Sequence, residues 1–280
     1  GGFAGIETAG ELMDLLLDAR KYYPTIHKED LKVIVLEAMG EILPGFNKKL
    51  ANFAKEKLVE RGIDIKLKKA VTSFDGNEVT IKSLDETPKD SIDQSEIDSI
   101  ITKTLIWTAG VTPVNTIKRS MFKTEKGKLI VNDFLEVTNF PGVFAIGDCA
   151  LFIDPISKRP FPPTAQIAEA QAKIAAKNLI SLIQSSQKEK FVYHSKGQMA
   201  IIGKRSGIAT FLGVNISGFV AWLIWRNVYL SKIPTFDKKI RVLLDWIIDL
   251  FFDRDISRLK LMKREAEKEY KLLDEVDDVW

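Results

Sequence analysis

Apolar residues at 12, 13, 15, 16, 17 and 19, with Asp14, Asp18 and Arg20 on the other side, predict a mainly apolar helix. Residues 32–37 form a short apolar run closed by Glu37, the pattern of a buried parallel strand. Residues 48–61 read as a second helix ending near Gly62. Residues 63–67, 71–74 and 78–82 alternate like strands, with Asp75-Gly76-Asn77 as the turn between the last two. The polar, acidic stretch 84–99 reads as a surface loop, and residues 104–110 as a strand reaching a bend at Gly110. A further short strand, 142–150, stops at Gly147-Asp148. The rigid stretch from Arg159 to Thr164 then feeds a helix that begins at Ala165 and is capped by Thr164. Residues 191–193, 199–203 and 207–212 read as strands of a small sheet. Toward the end, Ile240, Leu243, Leu244, Ile247 and Phe251 make a helical stripe opposite Arg241, Asp245 and Asp249.

At 280 residues the chain has room for about two domains. Its 41 basic and 38 acidic residues leave +3, too even for a nucleic-acid surface over the whole protein. The longest apolar runs reach about a dozen residues and contain charges, short of the roughly 20 that a spanning helix needs. One cysteine, Cys149, allows no intrachain disulfide, and with only His27 and His194 beside it no metal site is expected.

The candidate chemistry starts at the first residues, Gly1-Gly2-Phe3-Ala4-Gly5-Ile6-Glu7, which look like the tail of a G-x-G-x-x-G turn. With no initiator Met, the chain reads as a fragment cut inside a dinucleotide-binding motif, its first strand missing. Glycine turn, helix, strand and terminal acid follow in Rossmann order. Gly2 and Gly5 would let the backbone approach a pyrophosphate at the helix N-terminus. Glu37 would bond a ribose 2′-hydroxyl and repel a 2′-phosphate, favouring NADH over NADPH. Residues 23–30 read as an insertion that lengthens the usual spacing to that acid. Glu7 is expected in the first helical turn, where an acid complements the helix dipole. Asp148, at a strand's carboxyl end, would point into the crevice where α/β sheets bind ligands.

Trp107-Thr108-Ala109-Gly110, the Gly147-Asp148 strand end and Pro162-Pro163-Thr164-Ala165-Gln166-Ile167-Ala168-Glu169-Ala170-Gln171 together resemble flavoprotein pyridine-nucleotide reductases. The last run is similar to the Ala-Gln-x-Ala-x-x-Gln signature of the type II NADH:quinone oxidoreductases, and the likeness continues through Lys196 to Gly203 and the aromatic tail. The resemblance implies an α/β flavoprotein with two Rossmann-like dinucleotide-binding domains. Residues 1–108 would be the NADH domain, 109–190 the returning part of the FAD domain, and 191–280 a small sheet with an amphipathic tail. It implies hydride transfer from NADH to FAD and then two electrons to a membrane quinone, without proton pumping. Gly110, Gly147 and Asp148 would contact FAD, with Asp148 on its ribityl chain, and the helix from Ala165 would aim its N-terminus at the flavin. Gln166 and Gln171 would border the quinone. Five residues apart, they are turned about 140° around a helix and would flank the site rather than converge. Glu7 would lie beside the nicotinamide and flavin rings, and Lys196 near the quinone end. The FAD domain's own glycine motif is not in the sequence, so the fragment alone is expected to hold FAD poorly and to be inactive.

Between Asn215 and Arg264 ten basic residues stand against five acidic ones, next to Trp222, Trp225 and Trp246. Apolar stripe, tryptophans and basic residues suit a helix lying in a membrane interface. With the resemblance they imply a peripheral membrane protein on the cytoplasmic face. Packing on the core or in a homodimer is the alternative for the tail. The acidic stretch 265–278 reads as solvated. Two other functions stay open: a soluble FAD-dependent NAD(P)H reductase serving a protein acceptor, and a chain acting only as a binding module.

Overall fold

The computed structural model describes residues 1–84, 97–155, 158–195, 197–211 and 213–252. Helix α1 (Phe3–Ala19) leads through two short 3₁₀ turns, Arg20–Tyr22 and Lys28–Asp30, into strand β1 (Val33–Glu37). Helix α2 (Lys48–Glu60) starts at Asn47, whose side chain accepts from the Lys49 N–H at 3.0 Å, and stops at Gly62, φ +93°. Strand β2 (Ile63–Leu67) then lies parallel to β1, with Val33 opposite Ile63 and Glu37 opposite Leu67. This is the expected β-α-β unit.

Strands β3 (Lys69–Phe74), β4 (Glu78–Ser83) and β5 (Ile97–Ile101) form an antiparallel meander. The surface loop expected over 84–99 gives way at its end to β5, because that segment pairs with β4, Ile100 opposite Val79; residues 85–96 lie outside the described residues. The strand expected at 104–110 does not form. The segment joins no ladder among the described residues, and Gly110 takes φ +97°.

After the one-turn helix α3 (Asn115–Lys118), strands β6 (Thr124–Glu125), β7 (Lys128–Ile130) and β8 (Ala150–Leu151) make a second small sheet, β7 and β8 parallel. The strand expected over 142–150 is reduced to a bridge, Glu136 to Phe144, followed by a 3₁₀ turn, Gly147–Cys149. Positive φ at Gly142 (+83°) and Gly147 (+65°) breaks the extended run. Helix α4 (Ala165–Ile183) begins where expected, Thr164 Oγ1 accepting from the Ile167 N–H at 3.4 Å.

Strands β9 (Gly197–Ile201), β10 (Gly207–Phe211) and β11 (Val214–Gly218) form an antiparallel sheet covered by helix α5 (Phe219–Lys232), and helix α6 (Phe236–Phe251) follows. Residues 191–193, expected in this sheet, are not part of it. Phe191 is instead buried against Phe152 and Phe161, and its N–H bonds to the Asp133 C=O at 2.8 Å.

Two apolar clusters result. One joins α1, β1, α2 and β2 to Ala200, Ile202 and Ile208 of the C-terminal sheet. The other centres on Leu135, Val137, Phe152, Ile167 and Phe191. The contact between α1 and the C-terminal sheet rests on Gly10. A Cβ there would lie 2.8 Å from the Ile202 carbonyl carbon. One turn on, buried Asp14 takes both bonds from Arg61 Nη1 (2.5 and 2.6 Å) and one from the Lys204 N–H, while Arg61 Nη2 reaches Lys204 C=O at 2.9 Å. A largely buried ion pair of this kind survives only when its remaining hydrogen bonds are satisfied.

Candidate functional site

A cleft of about 1440 Å³ runs between β1 and the extended residues 104–110. Gly1, Gly2 and Gly5 border it together with Glu37, Thr108 and Gly110. The three N-terminal glycines have different jobs. A Cβ on Gly1 would run into the Glu37 side chain, and one on Gly5 would sit 2.7 Å from Thr108 Oγ1. Gly5, expected to admit a ligand, therefore admits Thr108 and lets the helix pack closely. Nothing lies within 4 Å of a Cβ on Gly2, so this glycine is the one whose backbone faces open space. Gly2 is also the N-cap of α1, without a side chain to satisfy the helix's first N–H groups.

Glu37 stands at the carboxyl end of β1. Its Oε1 accepts from the Met39 N–H at 2.8 Å, and its Oε2 lies 2.8 Å from the Gly1 nitrogen. Burial pushes the carboxyl up, and the Met39 and Ala38 N–H groups pull it down. An ionised acid at this place can accept a hydroxyl of a bound sugar and repel a phosphate. Gly1 C=O accepts from the Leu43 N–H at 2.8 Å, which folds residues 39–46 against the turn.

Glu7 is not in the first turn of α1. The helix starts at Phe3, and Glu7 belongs to the second turn, so the dipole account does not apply. Nor does it border the cleft, whose α1 wall is Gly5, Thr8, Ala9, Leu12 and Leu16. Its Oε1 accepts from the Ile201 N–H at 3.0 Å, 194 residues on. Burial raises its pKa, opposed by the Ile201 bond and helped by Glu11 nearby.

A second group of expected residues gathers where the Gly147–Cys149 turn meets α4. Asp148 is exposed there, as is Ala165 at the helix start. A narrow pocket beside them is lined by Gly147, Thr164 and Gln171. The two glutamines are separated by the helix, as their spacing requires. Gln166 is half-buried, its Oε1 3.4 Å from Tyr193 Oη. Gln171 is inside, accepting from the Gly147 N–H at 2.7 Å. Lys196 lies outside the described residues.

Sequence reasoning passed over Thr108 and Tyr193. Thr108 stands inside the Trp-Thr-Ala-Gly run, where a hydroxyl two residues before a glycine was the available signal. Tyr193 was hidden in an apolar triplet read as strand.

In the tail, Trp222 is not a surface anchor: it is 5% exposed, on the core side of α5, with Ala221 fully buried beside it. Arg226 stacks on it, 3.9 Å from the ring centre, and lies 4.7 Å from the ring of Trp246 on α6. The stripe on α6 faces outward throughout, from 42% exposure at Ile240 to 78% at Phe251. No described helix is long and apolar enough to cross a membrane.

Residues 1–172 match the family model described as pyridine nucleotide-disulphide oxidoreductase, and residues 195–255 the model described as NDH2 C-terminal domain. A "Probable NADH dehydrogenase" of Dictyostelium discoideum is 33% identical over 261 residues, covering 92% of this chain and 54% of that protein. A type II NADH:quinone oxidoreductase of Staphylococcus saprophyticus is 27% identical, covering 78% and 51%. The solved structure of NDH2 from Plasmodium falciparum in complex with NADH superposes with a TM-score of 0.79 at 18% identity, covering 92% of this chain and 66% of that one. The chain thus spans about half the length of the curated relatives it matches.

Proposed function

Because the chain belongs to the pyridine nucleotide-disulphide oxidoreductase family, in its type II NADH:quinone oxidoreductase branch, we propose that it works as an FAD-dependent NADH:quinone oxidoreductase at a membrane surface. The observation that carries this reading is the joining, in one chain, of a glycine-edged cleft closed by an acid to a helix whose apolar face is open to solvent. The first suits NADH, and the second suits a lipid-soluble acceptor.

The residues at the Gly147 turn fit a flavin dinucleotide. An exposed carboxylate, Asp148, can accept ribityl hydroxyls. The N–H groups of Ala165 and Gln166 open α4 and have no partner within the helix. They and the helix dipole stabilise negative charge on an electron-rich ring edge. FAD, when bound, supplies the chemistry: it takes a hydride from NADH and delivers two electrons onward.

The chain's own residues bind and orient. Gly2 leaves room for the pyrophosphate, Glu37 holds the ribose diol, and Thr108 and Gly110 border the same cleft. Glu7, held at the Ile201 backbone, is a protonatable group at the junction of α1 and the C-terminal sheet. We assign Gln166 to the quinone mouth, and Lys196, on the resemblance alone, to its outer end. The reading carries with it peripheral attachment at the cytoplasmic face through α6. A second copy covering α6 in a homodimer is the competing arrangement.

Stopped-flow measurement on the full-length protein tests the reaction. NADH should bleach the flavin, and a short-chain ubiquinone should restore its absorbance. Reoxidation by a protein acceptor but not by quinone would sink the proposal in favour of a soluble reductase.

A further inference from the structure

Gln171 has no task in the reading above. It is 2% exposed, and the opening it borders is the narrow pocket it shares with Gly147 and Thr164. Its Oε1 accepts from the Gly147 N–H at 2.7 Å, a bond that ties the second turn of α4 to a segment 24 residues earlier. The approach is close: a Cβ on Gly147 would stand 3.4 Å from that of Ala168, and Gly147 holds φ +65°. Asp148 follows immediately, with its side chain exposed. Gln166 differs in each respect: it is half-buried, turned about 140° away, and bonded to a phenol rather than to backbone.

We propose that Gln171 is a positioning residue for the flavin. It fixes the Gly147–Cys149 turn against α4 and so sets where the Asp148 carboxylate meets the ribityl chain. The two glutamines of one signature then serve two ligands, Gln166 the quinone and Gln171 the flavin. This rests on the flavin reading given above. The physical basis is that a buried N–H deprived of its acceptor is costly, so the turn must rearrange when Gln171 cannot accept.

The test uses the full-length protein, stripped of FAD and titrated with it. Gln171→Met keeps the volume and removes the acceptor; Gln171→Glu keeps an oxygen in place. Gln171→Met should weaken FAD binding about tenfold and shift the visible circular-dichroism bands of the bound flavin. With FAD saturating, its KM for a short-chain ubiquinone should stay within about twofold of wild type. Gln171→Glu should recover most of the FAD affinity. An unchanged FAD affinity with a raised quinone KM would overturn the assignment and make Gln171 a quinone contact. If the Met variant does not fold, the Glu variant decides alone: near-native FAD affinity and quinone KM support the assignment, and a raised quinone KM with native FAD affinity overturns it. Failure of the parent reading looks different, because the wild-type apoprotein itself would take up no FAD.

Discussion

Two carboxylates in the first 37 residues are driven in opposite directions by their surroundings. At Glu37, hydrogen bonds from the Met39 and Ala38 N–H groups oppose burial and favour the ionised acid. Glu37→Gln in the full-length protein should raise the NADH KM by roughly tenfold or more, the loss of a charged hydrogen bond worth about 1.5–3 kcal/mol, and narrow the preference over NADPH. An unchanged NADH/NADPH ratio in steady-state kinetics would contradict its role. At Glu7 burial wins and the pKa is raised. The folded state therefore holds this proton more tightly than the unfolded one. Stability from this group is complete below the ordinary value of 4.5 and is lost as pH rises through the elevated one. Glu7→Gln should accordingly melt at a higher temperature than wild type near pH 8, the difference closing below about pH 4.5, as followed by thermal melts across that range. Glu37's position could be read from the sequence because strand and acid are adjacent. Glu7's could not, since its partner is 194 residues away and the helix starts only at Phe3, which moves Glu7 out of the first turn.

The elements legible in the sequence are those whose own pattern decides them. α2 has a capping Asn and a terminal glycine, α4 a capping Thr, and the β3–β4 hairpin an Asp-Gly-Asn turn. The elements that were misread depend on a partner. β5 exists because β4 lies beside it, 104–110 lacks such a neighbour among the described residues, and Phe191 is taken by an aromatic cluster instead of a sheet. Gly10 is invisible to periodicity for the same reason, since only the fold brings Ile202 to it. Gly10→Ala should push α1 off the C-terminal sheet and cost about 1–3 kcal/mol, measured by urea denaturation. α6 is fastened chiefly through arginines: Arg226 donates to Trp246 C=O at 3.3 Å, and Arg205 to Leu250 C=O at 2.6 Å. Removing the stacked guanidinium in Arg226→Gln should loosen α6 without unfolding the core. Hydrogen exchange over 236–251 should accelerate several-fold, as expected for loss of cation–π contacts worth about 0.5–2 kcal/mol, while exchange in β9 and β10 stays put.

For the whole molecule, the tail question turns on where the core ends. A truncation near Asn215 would cut through β11 and remove buried Ala221 and Trp222, so it would report on folding as much as on lipid. Substituting the stripe is the cleaner experiment. Ile240→Ser, Leu244→Ser and Ile247→Ser together remove three exposed apolar side chains, each worth about 1.5–3 kcal/mol when buried. The triple variant of the full-length protein should fail to float with anionic liposomes while keeping its melting temperature. Wild-type flotation should weaken in high salt without vanishing, because only the charged part of the attraction is screened. If the variant floats as wild type does, or wild type does not float, α6 is not the membrane contact. The stripe itself was legible from heptad-like spacing. Which of the neighbouring tryptophans shared its face was not, because the sheet beneath α5 claims Trp222.

The stacking of Arg226 between Trp222 and Trp246 has an optical consequence. An indole held against a guanidinium and one held in lipid emit differently, so the Trp246 contribution, read as the difference between wild type and Trp246→Phe, should report on whether α6 stays seated when the protein meets a vesicle. A spectral change confined to Trp246, with Trp222 silent, would mean that the helix peels away from its arginine to enter the interface. No change in either would mean that it lands as a rigid raft, already shaped before any lipid arrives.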